Sequence, residues 1–200
     1  MISGVILAAG TGSRFGGTKQ LLHLGGKPLV QHVVDASVAA GLDEVIVVLG
    51  HDAERVRARI RLPGTARSVD NPDYRDGLAT SLATGLRAAA RDSEAAVVLL
   101  ADQPGVTPAT IDSLVRAFVA RRRPIVRAVF RDGPGPALLS REMWDEAMRL
   151  SGDAGARTLI ASHPGWVEEI EVEADAPPDV DTREDAARLG ADPAGGAPAR

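Results

Sequence analysis

The chain contains no cysteine. That absence excludes disulfide staples, thiolate nucleophiles and cysteine-bound zinc. With 200 residues it needs no staple to bury a core, and the length suits one domain. Excess positive charge is also missing. The net charge of −4 argues against a broad nucleic-acid-binding face. No apolar run approaches the ~18–20 residues of a membrane helix. The first nine residues carry no basic segment, so no signal peptide is expected. A soluble, cytoplasmic protein that binds neither nucleic acid nor membrane is the expectation. Aromatic residues make up only 3%, and arginine far outnumbers lysine. Both read as the bias of a GC-rich genome and carry no functional weight.

What the chain does have is a set of continuous aliphatic runs. VILAA (5–9), EVIVVLG (44–50) and AAVVLLAD (95–102) do not alternate with polar residues. Such runs belong to strands covered on both faces, normally in a parallel sheet. Helical patterns lie between them at 28–41, 76–92 and 108–122, the last with Thr107 placed to cap its start. Alternating strand and helix predicts an α/β fold: a single-domain, three-layer sandwich around a mostly parallel sheet. Beyond Arg123 the spacing predicts a strand at 124–130, a turn at DGPGP (132–136), and a helix over REMWDEAMRL. A further helix is expected over 152–164, an alternating edge strand at 167–173 and a last helix at 181–189. The domain is expected to span 1–189. The tail 190–200 is small, rich in proline and glycine, and expected to be disordered.

The first strand runs directly into a glycine-rich loop, GTGSRFGGTK (10–19). Glycines let backbone N–H groups converge on an anion without a Cβ in the way. Two known phosphate loops can be tested. Gly10, Gly12 and Gly16 give G-x-G-x-x-x-G, one residue longer than the dinucleotide fingerprint, and Gly25, Gly26 and Pro28 prevent a long helix from following. The P-loop needs G-K-[ST], whereas Lys19 follows Thr18 and precedes Gln20. Neither template fits. Arg14 and Lys19 nonetheless sit on backbone able to wrap a triphosphate, arginine as a fork of donors and lysine as a point charge. The alternative is a surface loop with two solvated cations.

The pattern L-A-A-G-x-G-x-R-x-G-G-x-K-Q-L-L resembles the signature of nucleotidyltransferases that move a nucleoside monophosphate from a triphosphate and release pyrophosphate. NPDYRDGLATSL (71–82), LLADQPGVT (99–107), GDAGARTLIASHP (152–164) and DVDTREDAARL (179–189) narrow this further. Together they resemble the molybdenum cofactor cytidylyltransferase-like branch of the MobA-like NTP transferase family, from residue 3 to about 189. The resemblance implies the Rossmann-like fold of nucleotide-diphospho-sugar transferases. It implies CMP transfer from CTP, with GTP as the alternative, onto a phosphorylated acceptor such as molybdopterin. A molybdoenzyme that receives the cofactor would be a further partner.

The resemblance also implies site residues. Leu7, Ala8, Ala9, Gly10, Gly12, Arg14 and Lys19 would meet the nucleotide, and Lys19, Arg14 and Asp102 would carry catalysis. Asn71 and Ser81 would approach base and ribose, with Gly77 keeping the backbone clear. Asp102, at the carboxyl end of its strand, and Asp181 would bind Mg²⁺. Each has a plainer reading. Asp102 or Asp181 would cap the segment that follows, Asn71 would make a turn with Pro72, and Ser81 would be an ordinary helix residue. Asp179 is expected to be solvated, and His23, His32, His51 and His163 to be structural or solvated. Ser140 and Trp144 have no triad partners nearby.

The acceptor side departs from the family. Its polar residue before a proline is missing from DGPGPALLS (132–140), as if deleted between Gly135 and Pro136. Two other functions therefore stay open. Some proteins with these motifs are NAD(P)H-dependent oxidoreductases acting on a heteroaromatic pigment, nicotine blue, although no ribose-reading acid follows the loop at the Rossmann spacing. The other is a non-catalytic nucleotide-binding factor for molybdenum cofactor insertion, which intact Lys19 and Asp102 oppose.

Overall fold

The three aliphatic runs are adjacent strands in the computed structural model, which describes residues 1–12 and 15–192. β1 (Ile2–Ala8) leads through the glycine loop to a small hairpin of β2 (His23–Leu24) and β3 (Lys27–Pro28), then to α1 (Leu29–Ala39). β4 (Glu44–Leu49), α2 (Ala53–Arg57), β5 (Ala66–Asp70) and α3 (Leu78–Ala88) follow. β6 (Ala95–Leu100), α4 (Pro108–Arg121), β7 (Ile125–Phe130) and β8 (Gly133–Ser140) come next. The described chain closes with α5 (Trp144–Ala147), α6 (Ala156–Ser162), β9 (Val167–Val172) and α7 (Arg183–Leu189).

The main sheet has seven strands in the order β5-β4-β1-β6-β8-β7-β9. β1 lies between β4 and β6 and is parallel to both. β8 runs antiparallel to its two neighbours, while β7 and β9 are parallel. Side chains alternate along β1. Ile6 and Ala8 join Val47, Leu99 and the inner faces of α1 and α4 (Val33, Leu114) in one core. Val5 and Leu7 join Ile46, Val98, Leu82 of α3 and Trp144 of α5 in the other. Helices thus cover both faces, which is why these strands contain no alternating polar residues. Thr107 caps α4 as its position predicts, accepting the Thr110 N–H at 3.2 Å. Among the described residues no helix is long and apolar enough to cross a membrane.

Four expectations need correction, all in the C-terminal third. The turn expected at 132–136 is the first half of β8: Gly133 and Pro134 pair with Phe130 and Val129 of β7. β8 pairs with β6 only from Ala137 to Ser140. The prolines, which have no N–H to donate, lie where β8 has left β6. The helix expected over REMWDEAMRL is a 3₁₀ turn (Arg141–Met143) and the four-residue α5. The helix expected over 152–164 is shortened to α6, because Gly152 at φ 61° and Gly155 hold its first residues out of helical geometry. The tail expected from 190 begins ordered: Asp192 N–H donates to His23 O at 2.9 Å, and Ala191 is buried against Leu22 and Leu29. Residues 193–200 lie outside the described residues.

Candidate active site

β1 leaves the sheet at Ala8 and the chain turns through the glycine loop. Gly12 has φ 59°, and its carbonyl accepts the N–H groups of Phe15 (2.9 Å) and Gly16 (2.8 Å). A Cβ on Gly12 would lie 2.0 Å from Gly17 O, so this position excludes other residues. The loop ends in a 3₁₀ turn, Lys19–Leu21. Gln20 is buried and anchors that turn to β1: its Nε2 donates to Gly10 O at 2.9 Å and to Ala8 O at 3.2 Å. Thr18 donates its hydroxyl to the Asp52 carboxylate. These contacts fix the backbone from which Lys19 projects. Arg14 lies outside the described residues.

Lys19 Nζ forms ion pairs with both predicted metal ligands, Asp102 and Asp181, the latter at 2.8 Å. Asp102 follows β6 at the carboxyl edge of the sheet, where open α/β sheets bind ligands. Asp181 arrives from 162 residues away, carried by the packing of Val180 and Ala186 against Leu22 and Leu29. It does not cap α7. Thr182 does, accepting the Asp185 N–H at 3.1 Å while its own N–H donates to Asp185 Oδ2 at 2.9 Å. With the cap supplied by Thr182, the Asp181 carboxylate faces the lysine. Burial alone would lower the pKa of the Lys19 ammonium. The two carboxylates outweigh that effect and hold it above its ordinary value, so the lysine is charged. Asp179 accepts a hydrogen bond from Gln103 Nε2 at 2.7 Å. Asp179 is exposed, yet desolvation on the side that faces the site, together with the Asp102 and Asp181 charges, pushes its pKa up.

A cavity of about 330 Å³ opens beside this cluster, lined by Leu7, Ala9, Gly10, Lys19, Gly77, Ser81 and Asp102 among the expected residues. Ala8, Gly12 and Asn71 do not line it. Ala8 faces the opposite core, and Gly12 shapes the loop. Asn71 is 2% exposed, with both ends of its side-chain amide occupied. Its Nδ2 donates to Thr80 Oγ1 (2.9 Å) and Ser81 Oγ (3.0 Å), and its Oδ1 accepts the Asp73 N–H (3.0 Å). Asn71 therefore positions Ser81 and has no side-chain N–H left to read a base. Thr11, Gln20, Tyr74, Arg75 and Asp153 also line the cavity, and sequence reading did not select them. All five lie inside the motifs quoted above, Gln20 as a named position of the loop pattern, so motif membership was the available signal. Three histidines have side-chain contacts nearby, and His51 Nε2 lies 3.9 Å from the Asp52 carboxylate. His32 Nε2 lies 2.9 Å from Leu24 O, and His163 lies 2.7 Å from Glu146 and stacks on Trp166.

Gly77 lines the cavity, but its requirement comes from behind. It has φ 107°, and a Cβ there would lie 2.2 Å from Gly152 O. Gly77→Ala is expected to destabilise the fold by roughly 2–5 kcal/mol, combining left-handed strain with a backbone clash. A urea titration checks this. An unchanged midpoint would mean that the 77–152 contact is not formed.

A second cavity of about 320 Å³ adjoins the first, sharing Leu7, Leu78, Leu100 and Asp153. Its far wall includes Pro134, Gly135 and Pro136, where β8 has parted from β6.

The donor set suits a hard divalent cation. Asp102 and Asp181 supply two carboxylates that already share one positive charge, the lysine ammonium. Among the described residues no third His, Asp or Glu completes a metal cluster. Mg²⁺ tolerates that, since it completes its shell with water and substrate phosphates.

Residues 4–167 match the MobA-like NTP transferase domain. The chain belongs to this family. Its members' common chemistry, nucleotidyl transfer from a nucleoside triphosphate with a divalent metal, fits the loop, the lysine and the paired acids just described. Nicotine blue oxidoreductase of Paenarthrobacter nicotinovorans is 35% identical over 199 residues, covering 94% of this chain and 96% of that protein. The crystal structure of Rv0371c from Mycobacterium tuberculosis superposes with a TM-score of 0.84 at 35% identity, covering 94% and 96% of the two chains. A manganese complex of Rv0371c gives 0.80 at 34%, covering 94% and 97%. A nucleotidyl transferase from Methanothermobacter gives 0.76 at 28%, covering 94% and 95%.

Proposed function

We propose that the protein is a Mg²⁺-dependent nucleotidyltransferase that moves CMP from CTP onto a phosphorylated acceptor, with molybdopterin the leading candidate and a molybdoenzyme the recipient. One observation carries this reading: a charged lysine anchored by the glycine loop and held against two carboxylates at the open edge of the sheet. The acceptor phosphate oxygen attacks the α-phosphorus, the bond to the β-phosphate oxygen breaks, and pyrophosphate leaves with the electron pair. The acceptor is already ionised, so no general base is needed. The loop backbone and Lys19 hold the β- and γ-phosphates and neutralise charge on the departing pyrophosphate. Ser81, fixed by Asn71, offers a hydroxyl to the nucleoside end of the cavity. Asp102 and Asp181 would hold the metal, which supplies charge neutralisation at the phosphates when bound.

A second reading rests on the 35% identity to Nicotine blue oxidoreductase along nearly the whole chain. In it the same loop holds a dinucleotide pyrophosphate. Melting temperatures with CTP, GTP, ATP, UTP, NADH and NADPH, each with and without Mg²⁺, separate the two. CTP with Mg²⁺ at ~100 Kd is expected to raise the melting temperature by about 5–10 °C. A metal-independent rise with NADH or NADPH alone would replace the transferase reading with the oxidoreductase.

A further inference from the structure

The first cavity holds a second cation, separate from the lysine cluster. Lys19 Nζ is committed to Asp102 and Asp181. Arg75 lines the same cavity and forms no ion pair among the described residues, although Asp73 and Asp76 flank it in sequence. Its guanidinium carbon lies instead over the Tyr74 ring, 5.2 Å from the ring centre. Tyr74 is a fixed platform. A Cβ on Gly50 would stand 2.6 Å from the tyrosine Cβ, so Tyr74 fills space that only a glycine leaves. An aromatic ring beneath a guanidinium restricts its orientation and leaves its N–H donors free for another partner. Tyr74, Arg75 and Ser81 form one stretch of the cavity wall, on the segment that leads from β5 into α3.

We infer that Arg75 reads the base of the nucleotide, donating two parallel hydrogen bonds to N3 and O2 of cytosine and so selecting CTP over UTP. The inference deepens the reading of this cavity as the CTP site and rests on it. With the triphosphate at Lys19, the wall of Tyr74, Arg75 and Ser81 is left for the nucleoside. Arginine carries a rigid fork of donors, and a fork needs two adjacent acceptors. Cytosine presents such a pair, N3 beside O2. Uracil has the same shape but carries a hydrogen on N3. The fork would meet a donor beside O2, and one of its own N–H groups would stay unpaired. Guanine offers an equivalent pair in O6 and N7, whereas adenine sets an amino group beside N7. Asn71 does not take this role, because its amide is held by Thr80, Ser81 and the Asp73 N–H. Arg75 thereby determines base specificity and takes no part in bond breaking.

The probes are CTP, UTP and 3-deaza-CTP, which lacks only the N3 acceptor. Each is titrated calorimetrically with Mg²⁺ into the parent, Arg75→Lys and Arg75→Gln proteins. The parent is expected to bind CTP about 10-fold tighter than UTP or 3-deaza-CTP, the discrimination of one bidentate pair. Arg75→Lys keeps the charge but loses the fork, and should bring CTP to within about twofold of UTP. Arg75→Gln removes the charge, and should lose the preference for CTP while UTP affinity falls by no more than about threefold. A role for Arg75 as a plain charge on the phosphates predicts the opposite pattern: Arg75→Lys keeps the CTP preference, and Arg75→Gln weakens CTP and UTP equally. Arg75 is exposed, so both variants should fold as the parent does, which circular dichroism checks. Equal binding of CTP and UTP by the parent, 3-deaza-CTP binding as tightly as CTP, a preference persisting in Arg75→Lys, or equal weakening of CTP and UTP in Arg75→Gln would each overturn the inference. Failure of the parent to bind either CTP or UTP would instead overturn the reading of the cavity as a nucleotide site, and this inference with it.

Discussion

Lys19→Ala is expected to reduce nucleotidyl transfer by about 10²–10³-fold, corresponding to ~2.7–4 kcal/mol of transition-state stabilisation from one electrostatic group. The far-ultraviolet circular dichroism should be unchanged. Lys19 packs against no apolar cluster, and its 3₁₀ turn is held by Gln20 and Leu21, not by the ammonium. Parent-rate turnover by purified Lys19→Ala would assign the loop another purpose.

The second large effect falls on the acids. Mg²⁺ is expected to bind the parent detectably only with a nucleoside triphosphate present. The phosphates draw Lys19 away from the carboxylates and then complete the metal's shell. Asp102→Asn should remove the Mg²⁺-dependent part of CTP affinity, a loss of at least about 10-fold, since a neutral amide is a poor ligand for a hard cation. Asp181→Asn should weaken it less. Asp181 is the more exposed of the two, at 45% against 16% for Asp102, so water can replace it more readily. Calorimetric titration of CTP with and without Mg²⁺ on each variant measures both. Full Mg²⁺-dependent affinity in Asp102→Asn would remove the metal site from these residues and favour the oxidoreductase.

In the amino-terminal two-thirds β1, β4 and β6 were legible because each is a continuous aliphatic run, whereas the short hairpin β2–β3, α2 and the half-exposed edge strand β5 carry no such run and were not expected. A strand covered by helices on both faces leaves no other solution for Val45–Leu49 or Ala95–Leu99. The C-terminal third obeyed tertiary context instead. Gly133–Pro136 has turn composition, yet it forms strand because β7 offers a partner and the prolines sit where β6 does not. In the site, the glycine loop and Asp102 could be placed from their positions at strand ends. Asp181 could be placed only by resemblance: its contact with Lys19 depends on how Val180 and Ala186 pack, and no local pattern reports that. Two readings of Asn71 stood open because an amide in a motif looks the same whether it reads a ligand or fixes a turn and a neighbouring serine. Only the partners at 2.9–3.0 Å distinguish the two.

The lysine ammonium itself gives the most direct test. Lys19 and Lys27 are the only lysines in the chain, and Lys27 is paired with Asp35 away from the cavity. Lysine-selective ¹⁵N labelling therefore reports two ammonium signals, one at the site and one serving as an internal control. Saturating CTP with Mg²⁺ should shift the Lys19 signal as it passes from carboxylates to phosphates, and leave Lys27 in place. Asp102→Asn should alter the resting Lys19 signal before any nucleotide is added. A nucleotide-saturated protein whose Lys19 signal does not move would contradict the assignment of this cluster as the triphosphate site.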